Sequence, residues 1–175
     1  DTPFQEIAGV GNQDRTFIMS IEAASSYLAE IGQQTGIDLA LGDDGTCAID
    51  FGERGENTLL FHYVPGEDVL LVLSPIAEVP QGGKESGFHR AVLRLNVQCL
   101  TRFGGVLGLD GDEGTVIFAA RFPLEGSSHA AFEAFLQPFV NAIDELKAFF
   151  ANEELVEAGA TFSSEEEIHL YGIRV

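Results

Sequence analysis

Two cysteines, four histidines and 28 carboxylates are among the side chains in this sequence able to perform nucleophilic, acid–base or metal chemistry. Cys47 as a nucleophile needs a base such as His62 and an electropositive setting that lowers the thiol pKa. It alternates instead with apolar neighbours in Gly45-Thr46-Cys47-Ala48-Ile49-Asp50-Phe51, the pattern of a buried strand thiol. Cys47 and Cys99 lie far apart and fit no ligand spacing, so both read as reduced packing groups, as suits the cytosol. His62, His89, His129 and His169 stand one per distant segment, and no pair has the close spacing of a structural zinc site. Asp110-Gly111-Asp112-Glu113-Gly114 lacks the ligand series and closing Glu of a calcium loop and reads as a solvated turn. Asp43-Asp44 reads the same way. The glycine-rich turns lack the Gly-Lys-Ser/Thr pattern of a phosphate cradle. Carboxylates are so abundant that no pair is singled out as acid and base. The residue types therefore name no catalytic group, no metal and no cofactor. A small enzyme using Cys47 or paired carboxylates is kept as an alternative.

Such a chain has to be read through its surfaces and the elements that hold them. Its 175 residues, 45% of them hydrophobic, suit one domain whose core needs no metal or disulfide. The net charge of −19 repels nucleic acid and anionic membranes, favours solubility and attracts a basic partner. No stretch is long and apolar enough to span a bilayer, and no basic segment followed by an apolar run opens the sequence as a secretory signal.

Residues 1–16 are expected to form a loose N-terminal extension. From about Phe17 the pattern is helical, with Ile21, Ala24, Leu28 and Ile31 on one stripe, and Gly36 closes it. Short strand-like runs follow at Ile37–Leu41, Thr46–Phe51, Thr58–Val64 and Val69–Leu73. Their polar turns are too short for parallel returns, so the runs form an antiparallel meander. A helix spans about Lys84 to Phe103. Phe88, Val92, Leu95 and Cys99 form one apolar stripe on it, and Leu93, Val97 and Leu100 form another. A helix apolar on two sides needs two surfaces. One is the sheet; the other is a second copy of the chain or an intrachain neighbour.

A second hairpin, Gly104–Leu109 and Gly114–Phe122, leads to a last long helix at about Ser128–Phe150. Ser127 or Ser128 caps its start, and Pro138 inside it should kink it. The strongly acidic residues 151–175 form a C-terminal extension, either a tail or a late strand at Ile168, Leu170 and Ile173. The order helix–strands–helix–strands–helix makes residues 17–150 an α+β domain, a sandwich around a twisted antiparallel sheet.

Several motifs along this order resemble the class I type III secretion chaperones, the Tir chaperone family. Ile31-Gly32-Gln33-Gln34-Thr35-Gly36-Ile37 resembles the family's end of the first helix. Gly45–Phe51 resembles its Gly-x-Cys-x-Leu-x-Phe strand, and Leu93-Arg94-Leu95-Asn96 its Leu-x-x-Asn signal. Gly105-Val106-Leu107-Gly108-Leu109-Asp110 with Gly114-Thr115-Val116-Ile117 resembles its Leu-Gly-Leu-Asp hairpin, and Phe122-Pro123-Leu124 follows where the family has Leu-Pro-Leu. The resemblance runs from about Tyr27 to Phe150.

That resemblance implies a cytoplasmic bacterial homodimer, not an enzyme, that binds the N-terminal segment of a secreted effector in extended form and keeps it export-competent. It implies grooves built from the first helix and the sheet, with a strand added at a sheet edge. The candidates for those grooves are Leu28, Ile31, Leu39, Leu41, Ile49, Phe51, Leu60 and Phe61, each of which would serve equally as core. Strand parity sends Leu60 and Phe61 to opposite faces. Leu93, Val97 and Leu100 are the candidates for the dimer contact. A regulatory binding protein of the same fold, acting on another secretion-system protein, is the second alternative.

Overall fold

The computed structural model describes residues 10–52, 55–111 and 114–158, with side chains from residue 21 onward. The chain runs through α1 (Val10–Thr35), β1 (Thr46–Phe51), β2 (Asn57–Val64), β3 (Val69–Glu78), α2 (Glu85–Phe103), β4 (Val106–Leu109), β5 (Thr115–Pro123), α3 (His129–Ala151) and α4 (Glu153–Ala158). The strands form one antiparallel sheet of order β1-β2-β3-β5-β4. The first three strands are a meander, and the α2 crossover lets β5 pair with β3, so β1 and β4 become the edges.

Alternation decides which sheet face is covered. Leu59, Phe61 and Tyr63 of β2, Leu70 and Val72 of β3, and Val116, Phe118 and Phe122 of β5 are buried, while the residues between them are more exposed. On this face Phe118 stacks on Phe139 of α3 with ring centroids 4.6 Å apart, and Phe122 meets Phe132 at 5.0 Å. Tyr27 of α1 stacks on Phe132 at 5.8 Å, and Phe103 of α2 meets Phe118 edge-on at 6.4 Å. Burying each such side chain contributes about 1.5–3 kcal/mol, so this aromatic layer fastens all three long helices to one side.

Three expectations need correction. The first helix is already formed at Val10, the first described residue, rather than starting near Phe17; Gly11 weakens a helix by about 1 kcal/mol but does not end one. Ile37–Leu41 is not a strand. It turns back on α1, with the Ile37 amide donating to the Gly32 carbonyl at 3.0 Å. Gly32 is required there, because a Cβ would lie 2.4 Å from the Ile37 oxygen. The third strand continues past Leu73 to Glu78, and its Pro75 sits at a register shift, the kind of position that tolerates a missing amide donor. Residues 153–158, expected within a C-terminal extension, form a short helix. Ile168, Leu170 and Ile173 lie outside the described residues.

Ser128 caps α3 by accepting from the Ala131 amide. The helix continues through Pro138, which stands on the solvent side like Ala134. Water can therefore pair with the Ala134 carbonyl that the proline leaves without a donor.

Candidate client-binding surface

Cover over the inner sheet face is uneven. Phe61 and Leu59 are buried on β2, but their partners on the edge strand, Cys47 and Ile49, are only half-buried, as is Phe51. The helices stop short of β1. At that edge the Gly42 amide donates to the Thr46 carbonyl at 2.7 Å, and on its other side β1 pairs with β2. A strip of apolar side chains therefore lies beside a strand edge able to accept another strand.

Two polar contacts tie α1 to α3, and a third ties α1 to the loop that leads into α3. The Tyr27 hydroxyl donates to the Ser127 carbonyl at 2.8 Å. The Gln34 amide donates to Glu133 at 2.9 Å, and His129 Nδ1 lies 3.4 Å from Glu30. Beside them the two helices leave an open groove of about 370 Å³ lined by Ile31, Gln34, Glu133, Leu136, Gln137 and Val140. Its polar rim and apolar floor suit an amphipathic or extended segment.

The eight groove candidates separate by burial. Leu28, Leu39 and Phe61 are core residues at 0, 3 and 1% exposure. Ile31, Leu41, Ile49 and Phe51 are half-buried and pack at the border of the core. Leu60 stands exposed on the opposite sheet face, as strand parity requires. Leu136 and Val140 escaped the sequence reading because α3 presents one broad apolar stripe. Its border positions, unlike its centre, reach the groove.

On the other side of the fold, the second stripe of α2 is uncovered. Leu93, Val97 and Leu100 are 70, 54 and 59% exposed, while Phe88, Val92, Leu95 and Cys99 are buried. The neighbouring edge strand β4 adds Val106 and Leu109, both about half exposed. Asn96 locks α2 to β4: its side chain accepts from the Leu107 amide at 2.7 Å and donates to the Leu107 carbonyl at 2.9 Å.

Among the described residues, the reactive side chains singled out by the sequence are not brought together. Cys47 pairs with Phe61 on the inner face, whereas His62, opposite Thr46, points to the outer face, so this base does not reach the thiol. Burial raises the Cys47 pKa against an Ala40 backbone contact. It also pushes Cys99 up to about 12, against the opposing charge of Arg102. Both are thiols at neutral pH. Asp44 accepts from the Thr46 hydroxyl at 2.8 Å and the Thr46 amide at 3.0 Å. Those bonds lower its pKa, opposite to what a general acid requires. Among the described residues no group of His, Cys, Asp and Glu is placed to hold a metal, and no helix is long and apolar enough to cross a membrane.

Helices on one face of an antiparallel sheet, with open apolar borders, form a surface suited to binding an extended segment. The family model of the Tir chaperone protein (CesT) family matches residues 26–147, and the chain belongs to that family. It is a type III secretion chaperone, from a family of chaperones rather than of enzymes. No curated protein sequence matches the chain. The fold is similar to that in the ExsC-ExsE complex, with a TM-score of 0.62, 20% identity, and 73% of this chain and 93% of that chain covered. It is also similar to the HopA1-SchA chaperone-effector complex, with a TM-score of 0.59, 17% identity, and 74% and 97% covered. A third similar structure is the Yersinia pestis type III secretion chaperone SycH with a stable fragment of YscM2, with a TM-score of 0.51, 15% identity, and 70% and 98% covered.

Proposed function

We propose that two copies of this chain hold the N-terminal segment of one secreted effector in extended form, in the bacterial cytoplasm, before export. The observation that carries this reading is the half-open inner face at edge strand β1, where Cys47, Ile49 and Phe51, like Ile31 and Leu41, are only half-buried at the border of the core. A client strand added there gains main-chain hydrogen bonds, and its alternate side chains enter the apolar border and the groove between α1 and α3. Each buried client leucine or valine contributes about 1.5–3 kcal/mol before the cost of ordering the segment. One structure of similar fold holds a chaperone together with an effector, which supports the same role here.

The dimer is assigned to Leu93, Val97 and Leu100 of α2 with Val106 and Leu109 of β4. Their exposure in the single chain supports a second copy as the missing cover. Three of the nine basic residues, Arg90, Arg94 and Arg102, lie on α2, which offsets part of the repulsion between two chains of net charge −19.

Light scattering after size exclusion, alone and with peptides tiling the effector's N-terminus, tests the reading. The expected result is a particle near twice 18.8 kDa that captures one or a few tiles. A monomer that captures none would overturn both assignments.

A further inference from the structure

We propose that the cleft between the N-terminus of α2 and α4 is a second docking site, taking a short basic protein segment that presents one branched apolar side chain. The cleft has a volume of about 360 Å³; Phe88, Phe150 and Val156 form its floor, and Glu78, Glu153 and Glu157 stand at its rim. The family match ends at residue 147, so the wall supplied by Phe150 and α4 lies beyond what the family model covers. This site is separate from the β1 edge and does not depend on it.

Charge selects the occupant. The N-terminus of α2 and the Lys84 ammonium would ordinarily favour an anion, but the ammonium is already met by two carboxylates and Glu85 stands in the first turn of the helix. Lys84 occupies the N-cap without a side-chain capping bond; its Nζ lies 2.6 Å from Glu153 and 3.6 Å from Glu157. Glu78 accepts from the Thr115 hydroxyl at 3.2 Å, a neutral partner. The rim therefore carries three carboxylates against one ammonium on a protein of net charge −19. An incoming anion meets surplus negative charge, whereas Lys or Arg side chains flanking an apolar residue meet carboxylates above an apolar floor.

Gly87 provides the test. It lies in the first turn of α2 and lines the cleft, and a Cβ there would meet nothing within 4 Å. Gly87→Leu fills the cleft while improving helix propensity. The probe is a rhodamine-labelled peptide with one leucine between two Lys-Arg pairs, followed by fluorescence polarisation. Saturable binding is expected to the unaltered protein, about tenfold or more weaker for Gly87→Leu and for a peptide with glycine in place of leucine. Glu78→Lys, on the exposed rim, weakens it as well, while capture of effector tiles is unchanged in both variants. Equal binding by Gly87→Leu, equal binding of the acidic counterpart peptide, or no saturable binding to the unaltered protein would overturn the proposal.

Discussion

The side chain of Asn96 and the backbone of Leu107 form a two-way clasp, one bond accepted at 2.7 Å and one donated at 2.9 Å. It joins the last turns of α2 to the edge strand β4, an element of only four residues that pairs on its other side with β5. Asn96→Ala leaves a part-buried amide and carbonyl of Leu107 without these partners. A loss of about 1–3 kcal/mol is expected, read as a lower urea midpoint with an unchanged slope. Asn96→Asp keeps the acceptor, sets a carboxylate against the Leu107 carbonyl, and should fail to restore stability.

Val97 separates association from folding. It is 54% exposed in the single chain, so Val97→Asp should leave the monomer's circular dichroism unchanged. In a dimer the same carboxylate is buried unpaired, and light scattering should report a monomer at concentrations where the unaltered chain is dimeric. A dimeric, folded Val97→Asp protein would remove this face from the interface.

Phe51 and Phe61 belong to adjacent strands and should respond differently. Phe61 is buried in the core, and Phe61→Ala should cost about 3–5 kcal/mol. Phe51 is half-buried at the edge. Phe51→Ser should move the melting temperature by only a few degrees yet weaken capture of an effector tile about tenfold. Thermal melts paired with titration calorimetry distinguish the two.

The Lys84–Glu153 pair sets a pH window for the docking of α4. The hydrogen bond from Lys84, then its charge, holds the Glu153 carboxyl below its ordinary 4.5, and the same contacts raise Lys84 above 10.5. The folded state thus binds the Glu153 proton more weakly than the unfolded chain. Its stabilisation is present above pH 4.5 and fades as pH falls through the lowered value. The Lys84 contribution is present below 10.5 and fades as pH rises through the raised value. Hydrogen exchange at the Val156 amide should therefore be slow relative to its intrinsic rate across the neutral range and lose protection on the acid side. Lys84→Met should abolish that acid limb.

Much of this arrangement was legible before the fold. The two stripes of α2 are set by helical period, and the structure buries Phe88, Val92, Leu95 and Cys99 while leaving Leu93, Val97 and Leu100 exposed. The Asp43-Asp44 turn was equally plain, because a short carboxylate beside Thr46 makes its own local bonds. Period, however, tells which residues share a face and not whether anything covers it. Leu28, Leu39 and Phe61 carry the same pattern signal as Ile31, Ile49 and Phe51, and only the reach of α1 and α3 distinguishes core from border. Ile37–Leu41 had strand composition, but the left-handed Gly36 (φ 76°) turns the Ile37 amide back onto the Gly32 carbonyl, a helix-closing bond whose glycine was legible while the close passage of the following residues over Gly32 was not. The groove residues Leu136 and Val140 were hidden for a related reason, since they flank the stripe that buries Phe132 and Phe139.

The open edge of β1 also bears on how the protein behaves in solution when no client is present. The open edge of a strand recognises any strand, including the same edge of another copy, so empty chaperones risk joining edge to edge. Mutual repulsion between bodies of net charge −19 opposes that approach, and the opposition is screened over about 8 Å at physiological ionic strength. Colloidal lifetime of the unloaded protein then becomes a function of salt, with acidity serving as the guard on a surface that has to stay unfinished in order to work.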